Sequence, residues 1–425
     1  MGDGSDAAKM ARAAWCGQPT GGALRDGVRC APVASLAIHM PTEPVPGYDL
    51  AWWRQRIPLF ATNTIPMNAC SHAPQTSVTR AAAERYLEGW NRRGMDWDGW
   101  MEEVTQAKRA FAKLINASVD EIAVFSSVSE ATSAVASAID FGAKRKKVVV
   151  TEAEFPTIGH VWLAQERRGA SVAWVPVHNG AVDIGAYDAV IDETTAIVSA
   201  CHGYYQNGFT QDLAAIAAKA HAHGALAYVD AYQTLGTTPV NVKASGVDFL
   251  ASGCLKFLMG IPGIAFLYVK KELIKSLHPA VTGWFGRANP FGFDVKKLDW
   301  ARTASRFDTG TPPVLNAYVA RAGIEIITGL GVGKIRAWHD VLAQRLIDGG
   351  HERGLMIHGT ADAAHKTATT GFVVPDAHGV EARMRAQGVI ASARGPVIRL
   401  SPHFYNSLDD IDRALDVLAV VAMPA

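Results

Sequence analysis

The segment "VDFLASGCLKFLMGIPGIAFLYV", residues 247–269, places a single lysine, Lys256, in a run of residues typical of a protein core. Burying an unpaired lysine is so costly that its pKa falls and its charge is lost. One interpretation is a lysine whose long side chain reaches the surface from the end of a strand. The other is a neutral amine kept for chemistry, and the rest of the chain has to decide between them.

Short apolar segments alternate with helical segments over the middle of the chain. Strands are predicted in "EIAVFSS", "KKVVVTEAEF", "SVAWVPV", "TAIVSACHGYY", "GALAYVDAYQ", "VDFLASG" and "GIAFLYVKK". Helices are predicted between several of them, for example in "SEATSAVASAIDFG" and "DLAAIAAKAHAHG". This order predicts an α/β fold with a mostly parallel seven-stranded sheet and helices on both faces. Ligands of such sheets bind beyond the carboxyl ends of the strands.

The composition argues against several classes of partner. The 425 residues include 41 Lys and Arg against 40 Asp and Glu, so no net charge favours nucleic acid or an anionic membrane. No uncharged apolar run reaches the ~18 residues of a membrane span, and the first residues lack the apolar region of a secretory signal. We therefore expect a protein that binds a small molecule and contacts neither nucleic acid nor membrane.

The cysteines indicate a reducing compartment. They are Cys16, Cys30, Cys70, Cys201 and Cys254. Because no two of them form a CxxC pair, neither a zinc site nor a disulfide framework is expected. This usage is typical of a cytoplasmic protein without a metal site.

Two predicted strand ends carry residues suited to an anion and to a planar ring. Ser127 and Glu130 in "SSVSEA" have the spacing of a capping box, which stabilises a helix start. The same helix start, with Ser127, Val128 and Ser129, also offers backbone N–H groups to a phosphate. Phe155 follows the next strand, where it either belongs to the core or stacks on a planar ring.

Asp230 ends a further apolar strand, and Gln233 follows it in "VDAYQTLG". The aspartate either caps a turn or holds a heteroaromatic ring nitrogen protonated. A phosphate site, an aromatic residue, this aspartate and Lys256 come in that order on successive strand ends. The arrangement matches the requirements of pyridoxal phosphate, whose aldehyde forms a Schiff base with a neutral amine. Lys256 is therefore predicted to carry the cofactor rather than to reach the surface.

The segment from residue 229 to residue 269 resembles the class V aminotransferase family of fold-type I pyridoxal-phosphate enzymes, through its Asp-x-x-Gln…Lys…Gly pattern. The resemblance extends from about residue 60 to the C-terminus. It implies that Asp230 pairs with the ring nitrogen, Gln233 lies near the ring hydroxyl and Lys256 forms the Schiff base. Residues of "SSVSEA" are expected to hold the phosphate: Ser127, Val128 and Ser129.

Further site residues come from the same resemblance. Thr311 in "RFDTGTPP" is expected to reach the phosphate in a neighbouring subunit, which implies a homodimer with shared active sites. Arg399 in "VIRLSPHFYN" is expected to bind the substrate α-carboxylate as a two-pronged fork, although an arginine on an edge strand near the surface is the alternative. Tyr205 joins the predicted cofactor-binding residues, and His72 the predicted substrate-binding residues.

The sequence also departs from the family pattern. Phe155 stands where the desulfurase branch has a stacking histidine, and "EFPT" and "GWFG" are similar to the kynureninase branch, so Trp284 is expected to line the substrate pocket. Leu255 replaces a histidine that contacts phosphate, which leaves Ser252 as a substitute. The stretch "GVIASARGPVIRL" before Arg399 lacks the nucleophilic cysteine of desulfurases.

The composition and the pattern of strands and helices along the chain predict its organisation into domains. Residues 1–45 are expected to be a loose N-terminal tail. Residues 76–280 are expected to form a large cofactor-binding domain. Residues 46–75 and 281–425 together are expected to form a small α+β domain.

The predicted activity is that of a pyridoxal-phosphate enzyme acting on an α-amino acid, with Lys256 removing the α-proton. A β-eliminating or carbon–sulfur lyase without a persulfide cysteine is favoured. An aminotransferase is the alternative, followed by an epimerase that uses His72 or Cys70 as a second base. A non-enzymatic regulator is disfavoured, because no helix-turn-helix domain is attached and Lys256, Asp230 and Arg399 are all present.

Overall fold

The computed structural model describes residues 48–142 and 144–422, and its secondary structure alternates between strands and helices. The strands are β1 (Ile65–Pro66), β2 (Ile122–Phe125), β3 (Lys147–Thr151), β4 (Ser171–Val175), β5 (Thr195–Cys201), β6 (Leu226–Asp230), β7 (Phe249–Gly253), β8 (Ala265–Val269), β9 (Ile357–His358), β10 (Thr370–Val373), β11 (Val389–Ile390), β12 (Ser392–Arg394) and β13 (Val397–Leu400). The α-helices are α1 (Leu50–Gln55), α2 (Ser77–Arg93), α3 (Trp97–Leu114), α4 (Val128–Ser137), α5 (Pro156–Leu163), α6 (Leu213–Ala222), α7 (Val242–Ser245), α8 (Lys271–Ile274), α9 (Val314–Leu330), α10 (Val332–Glu352), α11 (Ala377–Ala386) and α12 (Leu408–Val421). Short 3-10 helices span Pro58–Thr62, Val119–Glu121, Ala164–Arg168, Ile184–Ala189, Trp284–Gly286, Pro290–Gly292, Ala304–Phe307 and Ala363–His365.

A seven-stranded sheet with the order β2-β8-β7-β6-β5-β3-β4 forms the centre of the structure. The five strands from β7 to β4 are parallel to one another. Strand β8 runs antiparallel to both β7 and β2, so β2 points the same way as the parallel strands. Six carboxyl ends therefore meet at one edge of the sheet, where ligands of such folds bind.

Both faces of this sheet are buried, because its strands are nearly continuous apolar runs. Alternate residues of one strand belong to opposite cores: Val149 packs on one face, and Val148 and Val150 pack on the other. Helices α3, α6 and α9 contribute to the first core, and α4 and α5 contribute to the second. The predicted α/β fold, with a mostly parallel sheet and helices on both faces, is confirmed.

A smaller antiparallel sheet follows towards the C-terminus, with the order β12-β13-β10-β9. In it Arg399 on β13 pairs with Ser392 on β12 and with Gly371 on β10. Strands β1 and β11 pair in parallel, which joins the first described strand to the C-terminal part of the chain.

The predictions about organisation have different outcomes. The α+β segment at the C-terminus is present, but the exact division into a large and a small domain stays a prediction. The predicted N-terminal tail, residues 1–45, lies outside the described residues. Among the helices that the structure describes, none has the length and apolar character needed to cross a membrane.

The loop that carries Lys256 is held tightly between neighbouring backbone segments. Gly260 N–H donates to the carbonyl of Cys254 at 2.8 Å, which closes the loop. Met259 has a left-handed backbone with φ 58°, a strained conformation for a residue with a Cβ. A Cβ on Gly323 of helix α9 would overlap the carbonyl oxygen of Leu258. The loop can therefore approach the helix only because residue 323 is glycine.

We expect Gly323→Ala to lower the free energy of unfolding by about 1–3 kcal/mol, since the added methyl group overpacks the loop. Gly329→Ala in the same helix is the matched control, because nothing lies within 4 Å of its added Cβ. That control should stabilise the protein by about 0.4–1 kcal/mol by restricting the unfolded chain. Thermal melting measures both, and equal melting temperatures for the two variants would contradict the packing argument.

Candidate active site

A cavity of about 360 Å³ opens at the carboxyl edge of the large sheet. Its walls come from the ends of β2, β5 and β6 and from the loops after β3 and β7. The lining residues are Ser71, Ser126, Ser127, Val128, Ser129, Phe155, Thr157, Cys201, Gly203, Tyr205, Asp230, Tyr232, Gln233, Leu255, Lys256, Pro262, Gly263 and Ile264. Residues far apart in the sequence thus share one small volume, as the fold class predicts.

One wall of the cavity is the start of helix α4. Ser127 caps the helix, because its hydroxyl accepts a hydrogen bond from Glu130 N–H at 3.2 Å. The first backbone hydrogen bond of this helix runs from Ala131 N–H to the Ser127 carbonyl. The N–H groups of Val128 and Ser129 precede it, and N–H groups at a helix start are suited to an anion. The capping and phosphate interpretations are therefore compatible with each other.

A second wall presents an aromatic ring to the cavity. Phe155 remains 40% exposed although it follows a buried strand. It contacts Tyr205 in an edge-to-face pair with ring centroids 5.3 Å apart. An exposed aromatic face at a cavity wall is suited to stacking on a planar ligand.

Asp230 lies at the base of the cavity and is buried. One of its carboxylate oxygens accepts a hydrogen bond from Tyr232 N–H at 2.8 Å. Burial raises the pKa of Asp230, while this hydrogen bond and the charge of Lys256 lower it. The carboxylate is thus placed to gain from a cationic N–H partner in the cavity.

Lys256 reaches into the same cavity from the loop after β7. Burial lowers the pKa of its amine to about 8, although the charge of Asp230 acts in the opposite direction. Its Nζ lies 4.0 Å from the ring centroid of Tyr232 and 5.7 Å from that of Phe155. Near pH 7 roughly a tenth of this amine is neutral and nucleophilic, whereas the neutral fraction of a lysine with the ordinary pKa of 10.5 is several hundred-fold smaller.

Arg399 lies behind the cavity rather than in its wall, and only 1% of it is exposed. Its guanidinium donates to the carbonyl of Tyr205 at 2.8 Å and to the hydroxyl of Ser71 at 2.7 Å. It also donates to the hydroxyl of Ser392 at 2.9 Å. Because Ser71 lines the cavity, its hydroxyl connects the guanidinium of Arg399 with the cavity wall.

Most of the predicted cofactor-binding residues meet at this cavity. Those that line it are Ser127, Val128, Ser129, Phe155, Tyr205, Asp230, Gln233 and Lys256. Ser252 does not line it, because its buried hydroxyl donates to the Gly253 carbonyl at 3.0 Å. The contacts of these residues with a bound ligand stay predictions.

Three other predicted residues are not among the lining residues of this cavity in the described chain. Thr311 and His72 are exposed and are not among the lining residues. Trp284 packs edge-on against Trp97 at 5.8 Å and lines a separate cavity of about 610 Å³. Their proposed contacts with cofactor or substrate stay predictions, and for Thr311 the prediction already requires a second subunit.

Several residues that line the cavity were not predicted from the sequence, among them Ser71, Thr157 and Tyr232. Ser71 stands next to the noted Cys70, Thr157 belongs to the quoted "EFPT", and Tyr232 lies inside "DAYQ". The hydroxyls of Thr157 and Ser129 lie 3.0 Å apart, which joins Thr157 to the anion site. The motif "EFPT" was the available signal for Thr157.

Burial keeps the thiols of Cys201 and Cys254 in their neutral form. Cys201 lines the cavity, but burial raises the pKa of its thiol well above the ordinary value. Burial also raises the pKa of the Cys254 thiol. Cys70 is buried with its sulfur 3.6 Å from the Ser392 hydroxyl and does not line the cavity. Nucleophilic cysteines have lowered pKa values and are partly exposed.

The residues of the cavity fit one kind of cofactor. The start of α4 suits a phosphate, Phe155 suits a planar ring, Asp230 suits a protonated ring nitrogen, and the amine of Lys256 suits an aldehyde. Fold and site together define an enzyme that uses pyridoxal 5′-phosphate.

The chain belongs to the class V aminotransferase family, whose model, described as "Aminotransferase class-V", matches residues 67–413. A Bacillus subtilis (strain 168) protein named "Uncharacterized aminotransferase YcbU" is 36% identical over 371 residues, which are 86% of this chain and 96% of that protein. A kynureninase of Pseudomonas fluorescens is 25% identical over 350 residues, 78% of this chain and 82% of that protein.

Solved structures show the same fold. The apo structure of a cysteine desulfurase from Thermococcus onnurineus NA1 has a TM-score of 0.80 at 23% identity and covers 90% of this chain and 99% of that chain. The predicted family, fold class and cofactor are confirmed, and the protein is a pyridoxal-phosphate-dependent enzyme.

We expect the attachment of pyridoxal phosphate to the cofactor-free protein to accelerate with pH and to reach half its limiting rate near pH 8. The reason is that only the neutral amine attacks an aldehyde, and the pKa of Lys256 is about 8. In Asp230→Asn the midpoint should move to lower pH, since a charge that raises this pKa is lost. Stopped-flow absorbance measures the rate, and a midpoint near the ordinary lysine value of 10.5 would refute the placement of the amine.

Proposed function

We propose that the protein is a lyase that cleaves a bond at Cβ of a small α-amino acid by β-elimination. The observation that supports a reaction with one proton-transferring base is the single amine of the cavity. Lys256 supplies an amine, and no histidine, glutamate or second lysine lines the cavity in the described parts of the chain. Elimination and transamination need one base, whereas epimerisation needs a second base on the opposite face.

Each residue has a defined role in this proposal. When bound, the cofactor supplies an electron sink for charge developed at Cα. Lys256 takes the α-proton, which suits a base whose pKa lies near the working pH. Asp230 keeps the ring nitrogen protonated, and Ser127, Val128 and Ser129 hold the phosphate. The leaving group departs from Cβ with the electron pair of its bond.

The size and charge of the cavity favour a small substrate with an uncharged side chain. A volume of about 360 Å³ is at the lower end for small-molecule sites, and the cofactor occupies part of it. Lys256 is the one cationic side chain among the described lining residues. A second carboxylate or a phosphate on the substrate therefore has no arginine or further lysine facing it there. A β-substituted alanine with a thiol as leaving group meets these limits.

Transfer of sulfur to a cysteine is not part of the proposal. The hairpin before Arg399 turns between β12 and β13 within two residues, Gly395 and Pro396, and contains no cysteine. The thiols of Cys201 and Cys254 are held in their neutral form by burial. A thiol product would therefore leave the cavity in free form.

An aminotransferase is the second candidate, and the relative at 36% identity carries that name. Transamination uses the same base but returns the proton to the cofactor rather than expelling a group from Cβ. It also requires the cavity to accept an amino acid and a keto acid in turn.

A panel of amino acids, with and without keto acids, distinguishes these reactions. Elimination from a β-substituted alanine releases one equivalent each of pyruvate, ammonia and leaving group without any acceptor. Transamination releases no ammonia and stops after one turnover unless a keto acid is added. If turnover depends on an added keto acid for every amino acid of the panel and no ammonia is released, the protein is an aminotransferase and not a lyase.

Two sets of variants test the assigned residues under the conditions of that panel. Single Cys→Ser changes at the five cysteines should leave turnover intact in every variant that folds. Arg399→Lys should raise KM more than it lowers kcat, because a point charge replaces a guanidinium fork on the α-carboxylate. A cysteine variant that folds but is inactive would indicate a desulfurase mechanism. An unchanged KM in Arg399→Lys would show that Arg399 does not bind the substrate.

We also propose that two chains form a homodimer in which Thr311 reaches the phosphate of the partner's cofactor. Thr311 is exposed in the single chain. Large apolar side chains are exposed just before α3 and in the segment 291–298. They are Met95, Phe291, Phe293, Val295 and Leu298. Exposed apolar side chains that lie together indicate an interface. Thr311→Ala should weaken cofactor retention by roughly 1.5–3 kcal/mol, measured by dialysis. A fully active monomer in sedimentation would contradict the shared site.

A further inference from the structure

Tyr232 is a cavity residue that the proposed chemistry does not use. It follows Asp230 by two positions, and its backbone N–H donates to the Asp230 carboxylate at 2.8 Å. Its ring lies against the lysine loop, with its centroid 4.0 Å from Nζ of Lys256. One residue thus contacts both Asp230 and the amine of Lys256.

The position of the Tyr232 ring depends on a glycine in the neighbouring strand. A Cβ on Gly253, the last residue of β7, would overlap the phenol ring. Strand β7 lies beside β6, so the ring crosses from the end of one strand onto the end of the next. The absence of a side chain at residue 253 leaves the space that the ring occupies.

The amine of Lys256 faces two aromatic rings. Within residues 48–142 and 144–422, the structure gives Nζ no ion pair within 4.0 Å, while the rings of Tyr232 and Phe155 lie within reach of a cation–π contact. The charges of Asp230, Arg399 and Arg394 also act on this amine: Asp230 raises its pKa, and the two arginines lower it. A cation within about 6 Å of a ring centroid is attracted to the ring face, and more strongly when water is excluded. The ring at 4.0 Å is well inside this range, whereas the ring at 5.7 Å is at its limit.

We propose that Tyr232 is a positioning residue whose ring face holds the protonated amine of Lys256 in the cavity whenever that amine is not bonded to the cofactor. The inference rests on the proposed function, in which Lys256 takes a proton from Cα and becomes an ammonium group. The ring stabilises this ammonium at the place where the proton was taken. It thereby opposes burial, which favours the neutral amine.

The hydroxyl of Tyr232 does not act as the base. Burial raises its pKa, the charges of Cys254 and Asp230 raise it further, and the backbone N–H of Leu255 opposes the rise. The hydroxyl therefore stays protonated over the working pH range. The ring face, rather than the oxygen, carries the inferred role.

The test compares Tyr232→Phe, which keeps the ring, with Tyr232→Leu, which removes it. The full-length protein is freed of its cofactor and treated with acetic anhydride over a range of pH. Mass spectrometry of the Lys256 peptide gives the acetylation rate, whose midpoint reports the pKa of this amine. In the holoenzyme, the pH profiles of kcat and KM are measured in parallel with the amino acid that the panel identifies.

In Tyr232→Leu the midpoint should fall by about 0.4 to 1.5 pH units, the range that a cation–π contact corresponds to. In Tyr232→Phe it should stay at the wild-type value. Phe155→Leu is the graded control, with a smaller fall because its ring is 5.7 Å from Nζ. The acidic limb of kcat, where Lys256 becomes protonated and can no longer accept the α-proton, should move in the same direction in Tyr232→Leu, with KM little changed.

Equal midpoints in the wild type, Tyr232→Phe and Tyr232→Leu would overturn the inference. An equal shift of the midpoint in both variants would also overturn it, because the effect would then belong to the hydroxyl and not to the ring. Should Tyr232→Leu fail to fold, as judged by circular dichroism, Tyr232→Met removes the ring with a larger side chain and is judged by the same midpoint.

Failure of this inference is separable from failure of the proposed function. The acetylation midpoint depends on the ring and the amine alone and needs no turnover. The amino-acid panel, in turn, decides the reaction type without reference to Tyr232.

Discussion

The burial of one amine close to one carboxylate is the constraint on which the rest of the site depends. Burial lowers the pKa of Lys256 to about 8, and the charge of Asp230 keeps it from falling further. A fully hydrated amine would be charged near neutral pH and therefore unreactive. An amine buried without Asp230 would have a lower pKa and would be a weaker base for the α-proton. The parallel register of β6 and β7, which pairs Asp230 with Ala251, brings the two groups to the same edge of the sheet.

The remaining architecture keeps this pair in place and surrounds it with binding groups. Gly323 has no side chain where the loop of Lys256 meets helix α9, and Gly253 has none where the ring of Tyr232 lies against β7. The start of α4 adds backbone N–H groups suited to an anion at the same edge. The second sheet supplies Arg399, whose hydrogen bond to Ser71 connects it with the cavity. Apolar packing on both faces of the large sheet thus fixes the geometry of a small polar site.

The sequence was sufficient for the fold and for those site residues that lie within short segments. Lys256, Asp230 and Ser127 each follow an apolar strand, and strand ends of a parallel sheet meet at one edge whatever the loops do. The position of Arg399 behind Ser71 was not predictable, because the two residues are 328 positions apart and meet through the pairing of separate segments. The role of Tyr232 was hidden for a different reason: the direction of its ring depends on the missing side chain of Gly253 in another strand.

The central claim is that Lys256 is the residue that bonds to the cofactor in this cavity. Reduction of the purified protein with borohydride, followed by peptide mass spectrometry, tests it most directly. The account predicts one pyridoxyl group per chain on Lys256, and neither yellow colour nor labelling in Lys256→Ala. A pyridoxyl group on another lysine, or a Lys256→Ala protein that still fixes the cofactor, would contradict the account.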